Sequence, residues 1–209
     1  MSQQLLMWTV SPFLIQQLEI GGVAAFEIFW DADEDSDIED YSQDGNAELN
    51  IEAILNEAMV SEEREIIEIQ GRFAELVHFL LTGDNSRTLT SPGSLDFVVL
   101  EKEIDNKKWL LTTALAGKDV RGAEDFAASY RNPTETQEIC AALLAIEEAN
   151  DFKERCEALS ASNQSVLSML DCVMNSDLED AKEFISSELI PLYSDASERG
   201  HGVLIGWSI

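Results

Sequence analysis

Three features of the 209-residue sequence predict an α+β domain. A β-prone run, 5-LLMWTV-10, opens the chain and another, 202-GVLIGWSI-209, closes it. Helix-periodic segments fill most of the space between them. Strand, helices and strand in that order predict helices packed on a small sheet that includes the N-terminal and C-terminal strands. A chain of this size buries roughly 70% of its unfolded surface, enough for one core. The expected organisation is a single domain over 1–209, with an acidic loop insertion at about 31–49.

Each element has a local reason. Ser11-Pro12 places a capping hydroxyl before a proline at the first helical position, which predicts a short helix over 12-PFLIQQLE-19. Gly21-Gly22 breaks it. The run 23-VAAFEIFW-30 fits a strand or a buried helical turn, since eight apolar-rich residues do not distinguish the two. In 50-NIEAILNEAM-59, Ile51, Ile54, Leu55 and Ala58 share one helical face. A stronger stripe of Phe73, Leu76, Val77, Leu80 and Leu81 predicts a helix over 71–83, with Gly83 as its stop.

Residues 84–131 read as loop-rich, with strand candidates at 97-FVVL-100 and beside Trp109. Asn132, Pro133 and Glu135 form a capping box that opens a helix over about 133–159, its stripe carried by Ile139, Leu143, Ile146, Phe152 and Leu159. Ser176 with Glu179 predicts a further start. That helix buries Phe184, Ile185, Leu189, Leu192 and Tyr193 and ends near Gly200.

Composition narrows the function classes. The net charge is −28, and residues 1–63 hold fifteen acids with no lysine or arginine. Such a field repels phosphate backbones and anionic lipid headgroups, so direct nucleic-acid or membrane binding is not expected. A basic protein or a cation is the natural partner, and the plainer reading is that excess acid keeps the protein soluble. Cys140, Cys156 and Cys172 include no C-x-x-C pair and fall in helix-like patterns, which suits reduced, buried thiols. No run of 18 apolar residues occurs, and the N-terminal segment lacks the basic region of a signal peptide. The expected compartment is the cytoplasm.

Several stretches together are similar to the YfbM-like family of bacterial proteins. The opening 8-WTVSPFLIQQL-18 resembles that family's strand and Ser-Pro-led helix. The helix 73-FAELVHFLLTG-83 resembles its W-x-x-L-H-x-L-L-T-G segment, with Phe73 where tryptophan is common. The stretches 130-YRNPTETQEICAAL-143 and 192-LYSDASERGHGVLIGW-207 extend the likeness, while 31–49 and 84–129 match poorly. The resemblance implies an α+β cytoplasmic domain and brings no catalytic residue with it.

Few constellations suggest chemistry. Asp40, Ser42, Asp44 and Gly45 match the first half of a calcium loop, but position 12 is Ile51, where a bidentate glutamate is needed. No tight metal site is therefore expected there. Glu75 and Glu198 each precede a histidine by three, His78 and His201, which is half of a dinuclear carboxylate recipe. His201 lies between Gly200 and Gly202, where the helix should have ended. No G-x-S-x-G, H-E-x-x-H or Walker sequence is present, and no cofactor is expected.

Two functions compete. In the first, the protein is a non-enzymatic interaction protein whose Asp31, Asp33, Asp35, Asp37 and Asp40 meet a basic protein. In the second, it is a small hydrolase-like enzyme using His78 as acid/base in a cleft lined by Glu75, Thr82 and Tyr130.

Overall fold

The structure is a computed structural model that describes residues 4–33, 36, 38–41, 48–60, 69–70, 76–77, 80–81, 114–115, 117–123, 127–149 and 175–208. Its centre is a five-stranded antiparallel sheet. The strands are β1 (Gln4–Val10), β2 (Ile69–Gln70), β3 (Lys118–Asp119), β4 (Ala127–Arg131) and β5 (Gly202–Ser208), in the spatial order β2-β1-β5-β4-β3. The two terminal strands lie side by side at the middle, paired from Gln4↔Ser208 to Val10↔Gly202. The α+β class expected from the sequence is the one observed.

Both faces of the sheet are covered, and strand alternation sorts the residues between them. Met7, Val203 and Ile205 point to one face and join Leu76, Val77, Leu80 and Leu81 in a core with α5 (Pro133–Ala149), α6 (Asn175–Phe184) and α7 (Ile190–Arg199). Trp8, Val10, Leu204, Ala128 and Tyr130 point to the other. There they meet α1 (Pro12–Gly21), α2 (Val23–Asp31) and α4 (Ile51–Val60). A single turn, α3 (Ile38–Tyr41), packs Tyr41 against this second core. The acidic stretch is thus not wholly a loop: Asp31 closes α2, and residues 38–41 are helical.

Local chemistry accounts for the elements. The Ser11 hydroxyl caps α1 by accepting from Leu14 N, and Pro12 follows at the first helical position. Gly22 ends α1 at φ 60, and its N–H donates to Leu18 O. A Cβ at Gly22 would sit 2.3 Å from Arg121 O, so only glycine fits between α1, α2 and the turn after β3. The ambiguous run 23–30 is therefore a helix, entered through that glycine. Asn132 Oδ1 accepts from Glu135 N, and Glu135 Oε2 accepts from Asn132 N, the reciprocal box expected at the start of α5.

Within the stretch 84–131, read as loop-rich, the described residues include two strands that the sequence did not single out, β3 and β4, and β4 pairs along β5. α6 begins at Asn175, one residue before the serine expected to cap it. Between α6 and α7 the chain makes one π-helical turn, Ile185–Leu189, in which Ile190 N donates to Ile185 O. Pro191 lacks an N–H and would crowd the carbonyl four residues back, and the wider turn relieves that conflict. Fully buried Ile185, Leu189, Leu192 and Tyr193 stay on the core side through it. The strand candidates at 97–100 and Trp109, and the helix beyond Ala149, lie outside the described residues.

Candidate functional site

The helical layer made from residues 11–60 presents an acidic surface without a lysine or arginine of its own. Glu27 and Asp31 project from α2, Glu52 from α4, and Asp33 and Glu48 from the connections; all five are exposed. α1, α2 and α4 carry no basic residue in their last turns, so nothing on these helices offsets the negative ends of their dipoles. Asp33 is ordered locally: its N–H donates to Ser36 Oγ at 3.0 Å, and that hydroxyl donates to Asp33 Oδ1 at 2.8 Å. Asp35 and Asp37 lie outside the described residues; for Asp40 only the helical main chain is described.

The layer is fastened to the rest of the fold by two cations from the β3 region. Arg121 Nη2 donates to Ile20 O at 2.6 Å, and Val23 N donates to Arg121 O at 2.8 Å, which closes the α1–α2 junction. Lys118 Nζ lies 3.3 Å from Glu19 Oε1 and 5.4 Å from the centre of the Tyr130 ring. The Tyr130 hydroxyl donates to the same Glu19 oxygen at 3.3 Å. Burial pushes the Tyr130 phenol up, against the opposing pull of the Lys118 ammonium. Tyr130, and behind it Glu19, push Lys118 up. At neutral pH the pair is a neutral phenol and an ammonium ion, and neither is tuned toward proton transfer near pH 7. Half of Glu19's side chain is exposed, so the ion pair itself adds little to stability.

A second polar group lies on the opposite face, where β4 runs into α5. Arg131 is buried, with Glu135 Oε1 3.7 Å from Nη1. Burial lowers the Arg131 pKa, while Tyr193, Glu135 and Asp119 favour the cation. Tyr193 is fully buried, and its hydroxyl donates to Ala114 O at 2.7 Å. Burial also pushes the Asp119 carboxyl up, with Arg131 opposing. Sequence reasoning missed this cluster and the Lys118 triad.

Of the expected cleft, only Tyr130 is among the described residues. Tyr130 belongs to the core under α1 and α2, whereas Leu76, Val77, Leu80 and Leu81 belong to the core on the other face. Glu75, His78 and Thr82 lie outside the described residues, as do Ser42 and Asp44 of the half calcium motif. α7 ends at Arg199, and Gly200 adopts the left-handed conformation at φ 66, so Glu198 and His201 do not stand on successive turns of one helix. Among the described residues no group of three or more His, Cys, Asp or Glu side chains could hold a metal ion. Among them also, no helix is long and apolar enough to cross a membrane.

Fold and surface define an α+β protein with helices on both faces of an antiparallel sheet, one of the two helical layers carrying acids but no lysine or arginine of its own. No family model matches the chain, and no curated protein does. Among solved structures, the chain is similar to YfbM from Escherichia coli, a protein of unknown function. The two share 14% identity over 100% of each chain, with a TM-score of 0.46. At that level of likeness nothing about function passes from one chain to the other.

Proposed function

We propose that this is a non-enzymatic, cytoplasmic interaction protein whose acidic N-terminal third docks a basic protein. One observation carries the reading. Helices drawn from a segment without lysine or arginine pack on one face of the sheet, and Glu27, Asp31, Asp33, Glu48 and Glu52 in this segment are exposed to solvent. Among the described residues, the cations that reach this layer, Lys118 and Arg121, sit at the α1 edge and engage Glu19 and Ile20 O. A complementary field of this kind raises association rates and suppresses wrong partners, more than it adds affinity. Membership of the YfbM-like family is part of the proposal and is supported by the stretches 8–18, 73–83, 130–143 and 192–207.

The experiment is a pull-down with the wild-type chain, followed by kinetics on the recovered basic protein. Asp31, Asp33, Asp35, Asp37 and Asp40 are replaced by lysine together, and binding is followed at low salt. Slower association is the expected result. A recovered partner that binds the reversed variant with unchanged kinetics overturns the proposal.

A further inference from the structure

We draw no further inference here: the strongest candidate, the buried cluster of Arg131, Glu135, Asp119 and Tyr193 where β4 meets α5, carries nothing because Glu135 already caps α5 and Tyr193 already donates to Ala114 O, and no feature of the structure shows a ligand that the cluster would take.

Discussion

Glu57, on α4, grips Ser11 with both carboxylate oxygens: Ser11 N donates to Oε1 and Ser11 Oγ donates to Oε2, each at 2.6 Å. The contact joins residues 46 positions apart and ties α4 to the start of α1. The same hydroxyl also caps α1 through Leu14 N. One acid of the acidic third thus serves the fold and not the surface.

Glu57→Ala is expected to lower unfolding stability by about 2 kcal/mol, since it removes two hydrogen bonds to a charged acceptor. Ser11→Ala should cost about 1 kcal/mol for the lost cap. Urea denaturation of both single variants and the double should show coupling, with the double less destabilised than the sum. Strict additivity would mean that the two side chains act independently.

Gly22→Ala should cost more than about 1 kcal/mol, because it combines a left-handed φ with a Cβ driven into Arg121 O. Gly200 also has positive φ, but a Cβ there meets nothing within 4 Å. Gly200→Ala should therefore be the milder of the two in the same denaturation assay. Equal losses would show that conformation alone, and not the close approach to Arg121, decides the effect.

At the β4–α5 junction, Glu135→Ala is expected to destabilise by about 2–4 kcal/mol, because it withdraws a counter-charge from a buried guanidinium. Arg131→Met should cost less, since it removes the buried cation and leaves a partly exposed carboxylate in contact with water. Thermal melts of the two variants side by side read the order. The reverse order would contradict the idea that Arg131 is the costly partner.

Tyr193 gives a pH prediction. Its folded pKa is raised by burial, so the folded state keeps the phenol proton after the unfolded chain, with a pKa of roughly 10, has lost it. The unfolded state then binds fewer protons, and stability falls as pH rises above that value. Below it the contribution is fully present. Tyr193→Phe should flatten the alkaline decline and cost about 1–2 kcal/mol at neutral pH through the lost bond to Ala114 O. Stability measured by urea at pH 7 and near pH 11 checks both parts.

Much of the fold was legible because its signals are local. Ser11-Pro12, the Asn132–Glu135 box and the stripe of Ile54, Leu55 and Ala58 each act within one or two helical turns. β4 was not legible. Its sequence, AASYR, has small residues with little strand preference, and it is held by pairing with β5 and by the close approach of Gly117 and Gly202 to its backbone. The Glu19–Lys118–Tyr130 group could not be read either, since its bonds span 99 and 111 residues. Nor does a proline at 191 announce that the chain will widen into a π turn and continue.

The most direct test of the acidic-layer account is the association rate of the recovered basic protein across a range of salt concentrations. Wild type should be compared with a variant carrying Glu27→Lys and Glu52→Lys, exposed positions on α2 and α4 without a described part in the core. Wild type should associate fastest at low salt and slow steeply as salt rises. The variant should start about 10-fold slower and respond weakly to salt. Equal rates and equal salt dependence for the two proteins would contradict the account.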